Sequence, residues 1–235
     1  MIYQNITTGG FIDRPNRFIA HVEIDGAVET VHVKNTGRCK ELLIPGAEVI
    51  LSKSDNPKRK TKYDLIAVYK ESLGLVNIDS QAPNHVVQEW LEELLFDLVK
   101  PEYTYDKSRI DFYMEKGKER FLLEVKGCTL ERAGIGYFPD APTERGVKHL
   151  HELTKAVGEG YYAAVAFAIP MPGVRKVLPN DQTQPEFGEA LREAEEAGVK
   201  VLYLPCIVKT DEVAVDREKA SYLNNGFLSK VISEK

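Results

Sequence analysis

The sequence is poor in features that would place it in several common classes. Its three cysteines, Cys39, Cys128 and Cys206, are odd in number, far apart, and include no Cys-x-x-Cys pair. That argues against a disulfide framework and a structural zinc site, and makes a reducing cytoplasm the expected setting. The opening "MIYQNITTGG" lacks the basic stretch and apolar core of a signal peptide, and no apolar run approaches a membrane span. A soluble chain with no membrane partner is therefore expected. Positive charge is not in excess either. A net charge of -5 disfavours coating nucleic acid by bulk electrostatics, but leaves room for a local basic patch. A Gly-rich phosphate loop is missing, since "GIGYF" (Gly134 to Phe138) has no following lysine or third glycine. No helix-turn-helix with a basic recognition helix is visible.

What is present divides in two. From Phe18 to about Asp79, the stretches "RFIAHVEI", "ETVHVKN", "AEVILSKS", "YDLIAVYK" and "LGLVNID" alternate apolar and polar residues between turn signals. Five short strands of this kind predict a small OB-like barrel, a fold whose exposed face often binds single strands or sugars. After "SQAP" the period becomes helical: Val86, Val87, Trp90, Leu91, Leu94, Leu95 and Leu98 form one stripe, with Asn84 as the expected N-cap. Three strands (Tyr103 to Asp106, Arg109 to Glu115, Phe121 to Cys128), a helix (Asp140 to Val157), a strand (Tyr161 to Ile169), a helix (Pro185 to Ala197) and a strand (Val199 to Val208) then follow. The sequence thus predicts two domains, a five-stranded barrel over residues 1–80 and an α/β domain over 81–235.

The chemistry concentrates in "LLEVKGCTL", where Glu124 and Lys126 interrupt an apolar run. Side chains of a strand alternate between faces, so these two point one way while Leu123 and Val125 point the other. "SRIDF" precedes this stretch across the turn "EKGKE", and a hairpin would set Asp111 beside Glu124. Two carboxylates and a lysine either form an ordinary solvated face or hold a hard cation. All-oxygen ligands without His or Cys suit Mg2+ or Mn2+, with the lysine holding water or steadying a phosphate.

The basic stretch "SKSDNPKRKTK" is read as a solvated turn or as a phosphate-contacting loop through Lys58, Arg59 and Lys60. Arg14 and Arg17 flank the first predicted strand and can extend that basic loop, and Arg38 follows Asn35-Thr36-Gly37, which is either ordinary turn chemistry or a binding turn; all three are candidate DNA contacts. In "FPDAPTERGVKHLHEL", Asp140 is the expected helix cap and Val147, Leu150, Leu153 and Val157 the buried stripe. Arg145 and His149 share a face and can address a phosphate.

Helix, strand with Asp, and strand with Glu-x-Lys together resemble the PD-(D/E)XK nuclease core. Nearly the whole chain resembles the sugar fermentation stimulation protein A family, through "RFIAHVEI", "NTGRCKELLIPG", "SDNPKRK", "PNHVVQEWL", "SRIDF", "EVKGCTL" and "FPDAPTERGVKHLHEL". The resemblance implies an OB-like domain, a nuclease-like domain and DNA binding linked to sugar utilisation. It also implies Asp111 and Glu124 as metal ligands, Lys126 as catalytic lysine, and Glu89 as the acid supplied by the helix, with Glu92 and Glu93 close enough that spacing does not choose among the three. The expectation is a Mg2+- or Mn2+-dependent DNA nuclease, or alternatively a non-catalytic DNA-binding regulator of sugar metabolism. Whether the DNA is single- or double-stranded is left open.

Overall fold

The structure, a computed structural model, describes residues 1–35, 37–224, 226, 227 and 229. Its N-terminal half contains β1 (Ile6–Asn16), β2 (Ile19–Ile24), β3 (Ala27–Val33), β4 (Glu48–Lys53), β5 (Tyr63–Lys70) and β6 (Gly74–Asn77). The sheet order is β3-β2-β1-β4-β5-β6, and a parallel pairing of β3 with β5 closes five strands into a barrel. Val22, Val31, Val49, Leu51 and Leu65 fill it.

The barrel has the expected five strands, but their membership differs from the sequence reading. Its long first strand is β1, and the predicted last strand, β6, pairs only with β5 outside the ring. β1 carries Thr-Thr-Gly-Gly and a proline in place of an alternating apolar pattern. Gly9 is needed there because a Cβ would stand 2.5 Å from Val22 Cγ1 and 2.7 Å from the Glu23 carbonyl oxygen. Close strand crossing, rather than hydrophobic period, makes β1 a strand.

The second half runs α1 (Ala82–Glu93), β7 (Leu98–Tyr105), β8 (Ser108–Lys116), β9 (Glu119–Gly127), β10 (Leu130–Arg132), β11 (Ile135–Phe138), α2 (Glu144–Gly158), β12 (Tyr162–Ile169) and β13 (Val177–Pro179). It ends with α3 (Pro185–Glu196), β14 (Lys200–Val208), β15 (Val213–Val215) and α4 (Arg217–Leu223). Six strands form a mixed sheet in the order β15-β14-β12-β9-β8-β7, and β10, β11 and β13 form a small second sheet. The core on one face of the large sheet joins Val86, Trp90 and Leu91 of α1 to Phe112, Leu123 and Val125. On the other, Leu150 and Leu153 of α2 and Phe187 of α3 pack over Leu122, Val165 and Phe167. Glu124 and Lys126 share the parity of Leu122, so they face α2.

Two helix starts differ from expectation. α1 begins at Ala82 with Gln81 as N-cap, and Leu94 already turns to extended backbone, leaving Leu95 and Leu98 exposed. α2 is capped by Thr143, whose Oγ1 accepts the Gly146 N–H at 3.0 Å. Asp140 instead accepts the Cys39 N–H at 2.9 Å, tying the barrel to the second half. The first residues cross the same junction: Tyr3 N donates to the Asp211 carbonyl and Val213 N to that of Met1. No helix among the described residues is long and apolar enough to cross a membrane.

Candidate functional site

β8 and β9 pair antiparallel with Phe112 opposite Leu123, which sets Asp111 and Glu124 one step further along as neighbours. At that step the ladder gives way to a side chain: Asp111 Oδ2 accepts the Val125 N–H at 2.8 Å. Its Oδ1 accepts a second bond, at 2.8 Å, from the Asn84 side chain in the first turn of α1. A close approach brings that turn here, since a Cβ on Gly127 would lie 2.8 Å from Pro83 Cγ.

Glu124 is 2 % exposed. Its Oε1 is saturated, accepting Lys126 Nζ at 2.5 Å and contacting His149 Nδ1 on α2. Arg145 Nε donates to the other ring nitrogen, His149 Nε2, at 3.3 Å. Nε2 is therefore the acceptor, and the ring proton sits on Nδ1, pointing at Glu124. The second oxygen, Glu124 Oε2, is buried without a hydrogen-bond partner among the described residues. Burial pushes the Glu124 carboxyl up, but the His149 bond and the Lys126 charge outweigh it and hold the group below the ordinary range. Asp111 moves the other way, raised first by burial and then by the negative charge of Glu124.

The residues named from the sequence thus fall into groups. Asp111, Glu124, Lys126, His149 and Arg145 come together. His149 is buried rather than presented to a phosphate, because its ring is used between Arg145 and Glu124. Glu89 is not brought into this group: it accepts from the Met1 amine at 2.7 Å with its side chain 52 % exposed. Asn84 occupies the helical position at the site, a role hidden by its being a good capping residue. Asp111 and Glu124 are the donors that a hard cation would find here. No cluster of three or more His, Cys, Asp or Glu with metal-binding geometry occurs among the described residues.

The cations assigned to DNA contact also separate. Arg14 is spent on the fold, donating to the carbonyl oxygens of Arg17, Asn35, Gly37 and Arg38. Arg59 is held by Asp64 through bonds of 3.0 and 2.5 Å. Lys58 and Lys60 on the β4–β5 loop are exposed, as are Arg17, Arg38 and Arg145.

A closed OB-type barrel followed by an α/β domain with a buried carboxylate–lysine pair defines a two-part architecture, and comparison with known proteins recovers it. Residues 12–78 match the SfsA N-terminal OB domain, and residues 81–212 match the sugar fermentation stimulation protein RE domain. The chain belongs to the sugar fermentation stimulation protein family. A homologue from Ruminiclostridium cellulolyticum is 53% identical over 222 residues, covering 93% of this chain and 98% of the relative. One from Clostridium beijerinckii is 54% identical over 219 residues, covering 92% and 96%. The solved structure of Pyrococcus furiosus SfsA in complex with Ca2+ is similar with a TM-score of 0.80 at 29% identity, over 92% of this chain and 95% of that one.

Proposed function

We propose that this protein is a divalent-metal-dependent phosphodiesterase acting on DNA. The observation that carries the reading is Glu124 Oε2, a buried carboxylate oxygen with no hydrogen-bond partner among the described residues, on a strand that also presents Lys126. An orphaned buried oxygen of this kind costs free energy, and a cation relieves it. The donor set fits Mg2+ or Mn2+: Asp111 and Glu124 would hold the ion, and water and substrate oxygens would complete its shell. Such an ion supplies Lewis acidity and a more acidic bound water. The similar Pyrococcus furiosus structure holds Ca2+, another hard cation, which supports the same preference.

The chain's own residues do the positioning. His149 and Lys126 both engage Oε1 and so orient the carboxylate, while Asn84 and the Val125 N–H fix Asp111. Lys126 places a cation where charge develops on a phosphate. Lys107, Arg109, Arg145 and Lys148 line an open groove of about 630 Å³ that also reaches His149, and with Glu144 as its one carboxylate among the described residues the groove keeps an excess of positive charge for a phosphate backbone.

Incubation with single- and double-stranded DNA in Mg2+ or Mn2+ tests the reading. Cleavage is expected from the wild type and not from Glu124→Gln or Lys126→Ala, with binding retained in both. A second reading, a non-catalytic DNA-binding regulator of sugar metabolism on a nuclease-like scaffold, draws on the Lys126–Glu124 ion pair and the position of Glu89 outside the site. Salt-dependent binding without cleavage in either metal would select it.

A further inference from the structure

A cavity of about 340 Å³ opens where the barrel meets the α/β domain. Arg17, Asn35 and Gly37 line it from the barrel, and the segment from Tyr137 to Thr143 lines it from the other half. Pro83 and Gly127 also line it, and Gly127 directly follows Lys126, so the cavity ends one residue from the candidate site. A second recess of about 530 Å³ shares Arg17, Gly37, Ala141 and Pro142 with the first. It adds the exposed Arg38 and Lys40, and no carboxylate among the described residues lines it.

The two spaces therefore form one path, cationic at its outer end and half apolar at its inner end. Two carboxylates do line the inner cavity, but both are engaged. Asp79 pairs with Lys34 at 2.8 Å, and Asp140 accepts from Cys39 N. Arg17 remains as the exposed charge where the two spaces join. Tyr137, Phe138, Pro139, Pro142 and Pro83 give the inner lining its apolar share, the Phe138 ring being itself packed against Phe167 and Phe187, so an entering base meets stiff apolar walls.

We infer that this path seats one unpaired DNA strand, its backbone crossing Arg17, Arg38 and Lys40 and one base entering the cavity that Pro83 and Gly127 line. The inference rests on the phosphodiesterase reading and adds the strand state of the substrate. Size decides it. A space of about 340 Å³ lies at the small end of ligand pockets, room for part of one nucleotide and not for a base-paired helix. A duplex stays outside, while a single unpaired base can enter and reach the end of the cavity at Gly127, the residue after Lys126.

The test compares binding, without added divalent cation, of a single-stranded oligonucleotide, a blunt duplex and a duplex with an unpaired tail carrying 2-aminopurine. The single strand and the tailed duplex are expected to bind about tenfold or more tighter than the blunt duplex, with 2-aminopurine emission changing on binding. Ala141→Trp fills the cavity and should remove that advantage while leaving blunt-duplex affinity unchanged. Arg17→Ala, an exposed change that spares the core, should weaken single-strand binding about tenfold and lower the salt slope by about one. It decides the matter if Ala141→Trp fails to fold. Equal affinity for blunt and unpaired DNA, or wild-type single-strand binding by both variants, overturns the inference while leaving metal-dependent cleavage intact. Cleavage by Glu124→Gln at the wild-type rate instead overturns the phosphodiesterase reading on which the inference rests.

Discussion

Asn84, in the first turn of α1, donates its side-chain N–H to Asp111 Oδ1 at 2.8 Å, so a helix fixes the orientation of a strand carboxylate. Asn84→Asp would replace that donor by a third carboxylate beside Asp111, which burial and Glu124 already raise. Loss of the bond and gain of like charge should cost about 1–3 kcal/mol, lowering Tm by about 2–4 °C for each kcal/mol in a chain of this size. Added Mg2+ or Ca2+ should recover more Tm in this variant than in the wild type, because a cation joins three carboxylates more strongly than two. Thermal melts with and without metal check this, and an equal metal response in both proteins would count against a cation between these groups.

His149 supplies the donor that Glu124 Oε1 uses from α2. His149→Leu keeps the apolar packing and removes the N–H from a carboxylate that is 2 % exposed. The expected loss is about 2–3 kcal/mol, the scale for stranding a buried charged group. His149→Asn places an amide N–H near the position of Nδ1 and should recover much of that loss, whereas His149→Gln reaches toward Arg145 and should recover less. Denaturant midpoints of the three variants test the assignment of the ring proton.

The parts of the site legible in the sequence are those governed by a strand's period of two. Glu124 and Lys126 share a face because they are two apart, and Asp111 meets Glu124 because a short turn joins their strands. Glu89 was not legible in this way. Choosing among Glu89, Glu92 and Glu93 requires the rotation at which α1 docks, and Glu89 lies roughly 140° around the helix from Asn84 at 3.6 residues per turn. Arg14 and Arg59 read as free cations because their partners are tertiary: the carbonyls of residues 17, 35, 37 and 38 for one, Asp64 for the other. β1 escaped for a related reason, since the glycine that makes it fit also erases its apolar alternation.

The bond between Arg59 and Asp64 separates stability from DNA contact. Burial raises the Asp64 carboxyl, but the Arg59 and His32 hydrogen bonds and the Lys34 charge outweigh it, so the folded protein holds Asp64 below its ordinary pKa. A depressed carboxylate contributes stability above the unfolded value, about 3.9, and loses it as pH falls through the lower folded value. Between pH 6 and 2.5 the wild-type Tm should therefore drop more steeply than that of Asp64→Asn, which starts lower. Arg59→Ala should reduce Tm at neutral pH by an amount reflecting about 1–3 kcal/mol, with little change in the salt slope of DNA binding. Lys58→Ala and Lys60→Ala should leave Tm unchanged, since both side chains are exposed.

The seat of α1 on β9 is tested by the 2.8 Å approach of a Gly127 Cβ to Pro83 Cγ. Gly127 has no positive φ among the described backbone outliers, so the close approach alone demands glycine. Gly127→Ala must push Pro83 away, and with it the helical turn that carries Asn84 to Asp111. Overpacking of this kind costs about 1–3 kcal/mol. Pro83→Ala deletes the atom in the way, so the Pro83→Ala, Gly127→Ala double variant should be more stable than the sum of the single losses implies. A coupling of about 1 kcal/mol in a double-mutant cycle is expected for residues in direct contact. Strict additivity would mean that α1 does not rest on β9 through this contact, and would detach the placement of Asn84 from the end of the strand bearing Glu124 and Lys126.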